Sequence, residues 1–225
     1  MDARGEVLAL CELFESIAGE SSLAGLPAVF IRLAGCNLRC AWCDTRRSWE
    51  PGRPLGLADL AERVAGRRPQ LVVITGGEPL IQPQTPALCR RLLEAGKRVQ
   101  VETNGSLPIA GLPAAVQRVL DIKTPSSGES RRMDWDNLER LRPGDDLKLV
   151  LADRSDFDWA RDRLQQRPPP AGVQVLLSPA AGRLAPERLA AWLLASGWQV
   201  RLQLQLQRQL WPDGGDGCAI PLVNP

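Results

Sequence analysis

Three cysteines, Cys36, Cys40 and Cys43, stand close together in the segment GCNLRCAWCDT, spaced C-x3-C-x2-C. Three thiolates on one short loop can hold three irons of a four-iron, four-sulfur cubane and leave the fourth iron without a protein ligand. An open metal position is what a catalytic centre uses, as catalytic zinc keeps one site for water or substrate. The competing chemistry is structural zinc, which wants four closed ligands. The chain has no His, so the fourth would have to be Cys11, Cys89 or Cys218. Cys11 lies in a β-type run and Cys89 in the amphipathic run PALCRRLL, where a thiol packs as a small hydrophobe. Cys218 sits in a Gly-rich tail. The lack of His also excludes Ser-His-Asp triads and imidazole acid–base catalysis. Clustered cysteines of this kind are no secreted disulfide framework and point to metal or redox chemistry in a cytosolic chain.

The elements that must position this loop alternate. β-type runs start at Val7 (VLALCELF), Ala28 (AVFIRLAG), Leu71 (LVVITGG), Arg98 (RVQVETNG), Arg118 (RVLDIKTP), Asp146 (DLKLVLA), Val173 (VQVLLSP) and Trp198 (WQVRLQLQL). Between them come amphipathic, helix-length stretches: LADLAERVAG, TPALCRRLLEAG, DWDNLERLR, DFDWARDRLQQ and APERLAAWLLASG. Such alternation predicts an α/β fold with a parallel sheet and right-handed crossovers. No Gly-rich dinucleotide fingerprint follows the first strand, so a partial or complete (β/α) barrel fits better than a doubly wound sheet. The 225 residues read as a single domain, with a C-terminal extension from about residue 211.

In a barrel, chemistry collects at the carboxyl ends of the strands. Five of those ends are polar here: TGGEP, ETNG, DIKTPSSG, SPAAG and QLQRQLW. Each alone could be an ordinary turn; together they would line one rim. The net charge of +2 comes from 28 basic and 26 acidic residues spread along the chain, which gives no electrostatic case for nucleic acid or membrane binding. No apolar run reaches the length of a membrane span, and the start lacks a signal-peptide layout, so a cytoplasmic location is expected. Only Lys97, Lys123 and Lys148 are lysines among those 28 basic residues, which makes Lys123, in the DIKTP rim, an unusual choice.

The cysteine spacing, with Trp42 just before the third cysteine, resembles the signature of the radical S-adenosylmethionine enzymes. Gly76, Gly77, Glu78 and Pro79 resemble that superfamily's GGEP loop, whose glycines would let backbone approach the ligand. The resemblance implies that S-adenosylmethionine chelates the open iron and is cleaved reductively to a 5′-deoxyadenosyl radical. Over nearly the whole chain, ELFESIAGES, PAVFIRLAGCNLRCAWCDT, TGGEPL, ETNGS, LDIKTPSSG and RLQLQLQ resemble the 7-carboxy-7-deazaguanine synthase family. That family implies an incomplete barrel, a homodimer, Mg2+ assistance, an external flavodoxin-like electron donor and a small pterin substrate. The reaction implied is contraction of 6-carboxy-5,6,7,8-tetrahydropterin with loss of ammonia, on the route to queuosine.

Carried over residue by residue, the resemblance implies pterin contacts at Ile17, Ala18, Gly19, Glu20 and Thr75. It sets Arg32 on the substrate carboxylate, which a guanidinium fork suits. Thr45 stands where the family has a Mg2+ ligand, and Mg2+ sites are sparse in protein ligands. Gly77, Glu78, Ser126, Ser127, Ser178 and the backbone near Trp42 and Asp44 would touch S-adenosylmethionine. The chain departs from the family in SIAGES, where Ala18 replaces Gln and Ser21 replaces Gly. It departs again at Gln207, which stands at the family's substrate-facing His, and in the tail that runs on to Pro225. The alternation RLQLQLQRQL predicts a strand with Arg201, Gln203, Gln205 and Gln207 on one polar face; a solvated edge strand is the plainer reading. A glycyl-radical activase and a zinc-stabilised binding module are the alternatives.

Overall fold

The computed structural model describes residues 6–211 and 220–221. All described strands join one 10-stranded sheet of order β10-β1-β2-β4-β5-β6-β7-β8-β9, with β3 paired to β1. Strands β1 (Val7–Ile17) and β2 (Pro27–Leu33) form an antiparallel hairpin. The short strands β3 (Arg53–Gly56) and β10 (Ile220–Pro221) flank β1, also antiparallel. From β2 the sheet is parallel through β4 (Leu71–Gly76), β5 (Arg98–Thr103), β6 (Gln117–Lys123), β7 (Asp146–Leu151), β8 (Gln174–Pro179) and β9 (Arg201–Leu202). β9 does not pair back to β1, so the barrel is incomplete.

The crossovers carry α1 (Leu57–Ala65), α2 (Thr85–Glu94), the single turn α3 (Asn137–Arg140), α4 (Arg154–Gln166) and α5 (Pro186–Ser196). In α1 the buried residues Leu57, Leu60, Ala61 and Val64 recur at i, i+3, i+4 and i+7, one face of a helix. α4 starts where the Asp153 carboxylate accepts the Asp156 N–H, a side-chain cap, and α5 stops at Gly197 with φ +63°. Strand side chains alternate between two faces. Val72, Ile74, Val101, Leu120, Leu147 and Leu149 belong to the core shared with the helices. Thr75, Gln100, Glu102, Asp121, Lys123 and Lys148 have the opposite parity and point into the lumen, where several of them contact one another. At one end the turn of the first hairpin packs Ala18 and Leu23 against Ala28 of β2 and Leu71 and Val73 of β4 in a second apolar cluster.

Two expectations are corrected. The DWDNLERLR helix is only α3, because the Asn137 amide turns to backbone groups at Leu107 and Ile109 and Pro143 follows closely. The alternating strand ends at Leu202: Gln203 N–H makes one more bond to Leu177 O, and residues 206–210 form a short helix, α6. The segment leaves the sheet because its glutamines have better partners than an edge ladder, as described below. Cys218 and Pro225 lie outside the described residues. Among the described residues no helix is long and apolar enough to cross a membrane.

At the barrel's amino end, Asp145 accepts the Arg118 N–H at 2.8 Å, Arg118 Nη1 at 3.1 Å and the Arg142 N–H at 2.9 Å. Both side chains of the pair are nearly inaccessible. Asp145→Ala should therefore destabilise the fold by about 3–5 kcal/mol by stranding the guanidinium. Urea unfolding measures this, and a loss below about 1 kcal/mol would mean the pair does not hold β6 to β7.

Candidate active site

The cysteine loop leaves β2 at Leu33 and is locked to the loop after β4 by backbone. Gly77 N–H donates to Leu33 O at 3.0 Å and Glu78 N–H to Gly35 O at 2.8 Å, so the β2–β4 ladder continues past both strands. A Cβ at Gly77 would lie 1.9 Å from Gly35 O, and one at Gly76 (φ +133°) would lie 2.1 Å from Leu33 O. The glycines of GGEP thus admit the cysteine loop itself, a closer approach than the one expected to a ligand. Glu78 is fully buried. Its Oε1 accepts from Leu80 N–H and the Thr103 hydroxyl, and its Oε2 from Asn104 N–H. Burial pushes its carboxyl up and these bonds oppose the shift. Asn104, on the ETNG rim, then reaches Cys36 Sγ at 3.8 Å and Asn37 Oδ1 at 3.0 Å.

Among the described residues no three His, Cys, Asp or Glu side chains converge on a single metal ion, but three soft thiols on one loop suit the wider span of a metal–sulfide cluster. Burial raises Cys36 and takes Cys40 up to about 11; Lys123 pulls Cys40 down, while Asp121, Cys36 and Cys43 push it up. Neighbouring thiols of this kind stay protonated alone and ionise when a bound metal supplies positive charge. Cys89 is different: it lies on the buried face of α2, in the core, its thiol pushed up to about 12.

Other rim loops close on the same place. Ala41 N–H donates to Ser127 O at 3.0 Å, joining the cysteine loop to the PSSG loop. The Ser127 hydroxyl donates to Thr124 O, and Ser126 bonds Asp156 through its N–H and Asp153 through its hydroxyl. Ser178 Oγ, at the end of β8, is buried and without a partner among the described residues. Trp42 lies under the Arg183 guanidinium at 5.4 Å. The Thr45 hydroxyl donates to Asp44 Oδ1 at 2.9 Å.

Below the rim the lumen holds a chain of buried charges. Lys148 Nζ contacts the Glu20 carboxylate and lies 3.2 Å from Asp121 Oδ2, while Lys123 Nζ is 3.1 Å from Asp121 Oδ1. Gln205 and Gln207 both donate to Glu20 Oε1, at 2.7 and 3.1 Å. Burial alone would raise the Glu20 carboxyl, but Lys148 and the two amides hold it below the ordinary range. Asp121 is likewise lowered, its burial overridden by Lys123 and Lys148. Glu102 goes the other way: burial and the Glu20 charge raise it, although the Thr75 hydroxyl donates to it at 2.9 Å.

Gly19 lets this arrangement close. Leu206 N–H donates to Gly19 O at 3.0 Å, and a Cβ on Gly19 would sit 1.7 Å from Gln207 Oε1. Ile17 ends β1, and Ala18 is buried with both backbone polar groups bonded inside the hairpin turn. Ser21, where the family has Gly, takes φ +74°, an uncommon conformation for a residue with a side chain. Its hydroxyl answers that strain by donating to Gln100 Oε1 at 2.9 Å and accepting the Leu23 N–H at 3.1 Å. Arg32 Nε donates to Glu12 Oε2 at 2.7 Å, and Glu12 also takes Arg47. Sequence reasoning missed Glu102, Asp121 and Lys148. The scarcity of lysine singled out Lys123 and applied equally to Lys148.

An incomplete parallel barrel with a three-cysteine loop at its carboxyl rim defines a radical S-adenosylmethionine protein, and the sequence model of the Radical SAM superfamily matches residues 30–124. Over 217 residues the chain is 37% identical to the 7-carboxy-7-deazaguanine synthase of Koribacter versatilis, covering 90% of this chain and 96% of the relative. It is 36% identical to the synthase of Methanospirillum hungatei, covering 92% and 86%. The chain belongs to the 7-carboxy-7-deazaguanine synthase family. The crystal structure of QueE from Escherichia coli superposes with a TM-score of 0.75 at 25% identity, covering 88% of this chain and 94% of that one. Streptococcus suis SuiB, at 13% identity and TM-score 0.56 over 79% of this chain and 48% of its own, shares the fold alone. With the family come a four-iron, four-sulfur cluster and S-adenosylmethionine.

Three variants test the loop geometry. Gly77→Ala should force the two rim loops apart and cut bound iron and sulfide well below the wild-type level after anaerobic reconstitution. Cys40→Ala should lose the cluster absorbance altogether while Cys89→Ser keeps it; unchanged iron in the Cys40 variant would sink the assignment.

Proposed function

We propose that this protein converts 6-carboxy-5,6,7,8-tetrahydropterin to 7-carboxy-7-deazaguanine by radical ring contraction with loss of ammonia, in 7-deazapurine biosynthesis. The observation that carries this reading is the Glu20 carboxylate, paired with Lys148 and with the amides of Gln205 and Gln207 inside a polar lumen beneath the cysteine loop. A pterin presents adjacent N–H donors on its 2-amino-4-oxopyrimidine edge, and an ionised carboxylate is the strong acceptor for such an edge. Glu102 beside it is pushed the other way by burial and by the Glu20 charge, so the two carboxyls of the chamber stand in unequal environments.

Cys36, Cys40 and Cys43 would hold the cluster. Gly77, Glu78, Ser126, Ser127, Ser178, Trp42 and Asp44 would hold S-adenosylmethionine, with the partnerless Ser178 hydroxyl the clearest free group; the Glu78 side chain acts by bracing the loop. When bound, the cluster and S-adenosylmethionine supply the one-electron chemistry of the reaction. Ile17, Ala18, Gly19 and Glu20 frame the pterin. Ala18 contributes shape there, since its backbone is committed to the hairpin. Thr75 and Gln207 face the substrate, and Arg32 meets its carboxylate. Gln207 orients Glu20 through its amide, and its buried Oε1, without a partner among the described residues, offers an acceptor.

Thr45 offers a hard oxygen to Mg2+, beside Asp44 and clear of the thiols. A homodimer and an external flavodoxin-like electron donor complete the reading, with the protein working in the cytoplasm as a single domain.

The reaction is tested by anaerobic incubation of the reconstituted protein with S-adenosylmethionine, reductant, Mg2+ and the carboxytetrahydropterin, followed by mass analysis. Carboxydeazaguanine should appear; cleavage of S-adenosylmethionine without it would overturn the substrate. Thr45→Ala should keep full iron content but lose Mg2+ stimulation, and an identical Mg2+ response would reject that role.

A further inference from the structure

Lys148 is a poor choice if the interior of this barrel needs only stability. A buried ammonium among carboxylates is costly to desolvate, and apolar side chains of similar volume commonly hold a core as well. Asp121 sits directly opposite Lys148 in the β6–β7 register, and Lys123 already neutralises it from its other oxygen. What Lys148 alone does is cross the lumen, from β7 to the segment that follows β1, and meet Glu20.

We propose that Lys148 is a positioning residue for the substrate: by ion-pairing across the chamber it keeps Glu20 ionised and aimed at the pterin. The inference rests on the reading above that Glu20 receives the pterin edge. The groups facing Glu20 set the sign. Glu102 comes from β5, Asp121 from β6 and Lys148 from β7, while the amides of Gln205 and Gln207 come from the segment after β9. Lys123 is one step removed, on the far side of Asp121. With Lys148 gone, Glu20 is a buried carboxylate beside that of Glu102, with only amides to support its charge. Such a group takes up a proton as the pH falls. A protonated Glu20 loses acceptor capacity and must place a donor of its own. Pterin binding then weakens on the acid side, where the wild-type protein should be indifferent to pH. Gln205 and Gln207 reinforce this, because a neutral amide pair on Glu20 brings no titration with it.

The test measures binding of 6-carboxypterin by equilibrium dialysis to the reconstituted protein with S-adenosylmethionine present. The wild type should hold a flat affinity from about pH 5.5 to about pH 7, below the range in which the pterin N3–H itself ionises. Lys148→Met should bind roughly ten-fold more weakly near the acid end and converge on the wild type near the basic end. Lys148→Arg should restore the flat profile. On a Glu20→Gln background, Lys148→Met should add less than about two-fold, because Lys148 acts through Glu20. Iron content and thermal melting check folding, and Lys148→Gln carries the same expectation should the Met variant not fold. A Lys148→Met profile that matches the wild type overturns the inference. So does an equal loss at every pH that persists on the Glu20→Gln background, which would mark a packing role. Wild-type protein that does not bind carboxypterin overturns the substrate reading instead.

Discussion

The active end of this molecule depends on a stretch of backbone with no side chains in the way. Two parallel strands, β2 and β4, keep exchanging hydrogen bonds after both have ended, through Gly77 to Leu33 and Glu78 to Gly35. Every other contact at the rim follows. With the two loops pinned, Glu78 is driven inside, where it ties down Asn104, and Asn104 meets the first cysteine. The cysteine loop in turn lies against the PSSG loop. Metal ligands on loops are exposed to the mobility of loops; here the loop is extended sheet in all but its side chains.

The lumen follows a second constraint. Strand alternation leaves one face for helices and one for the interior, and this chain fills the interior positions with acids, lysines and glutamines in place of branched aliphatics. The charges are affordable only because they neutralise one another in sequence, from Glu20 through Lys148 and Asp121 to Lys123. Their environments are not equal, and the carboxyls of Glu20 and Glu102 are pushed in opposite directions. A chamber built in this way is polar before anything enters it.

Much of this was legible in the chain. The βα alternation is a local signal, strong wherever apolar spacing is regular, so β4 through β8 and the longer helices stand close to where the pattern puts them. The cysteine loop and the GGEP rim were visible because residue type and spacing carried them. The antiparallel pairing of β1 was not, since alternation does not encode direction. The glutamine segment misled for a similar reason. RLQLQLQRQL has the period of a strand, yet after Leu202 its course is set by Glu20, a residue far away in sequence. Buried charge was hardest to see, because Glu102, Asp121 and Lys148 look in sequence like any polar residues that alternate outward.

The three lysines leave the surface of the folded chain with an unusual chemistry. Lys97 is buried and donates to the carbonyls of Arg67 and Pro69; Lys123 and Lys148 lie in the lumen, their side chains 18% and 12% exposed. The cationic side chains that meet solvent across the described residues are guanidiniums. Acylating agents attack the neutral form of an amine, and an arginine, protonated at any ordinary pH, does not answer them. The described surface is therefore close to inert toward amine chemistry, and the side-chain amines an acylating reagent could approach are the two that stand inside the chamber.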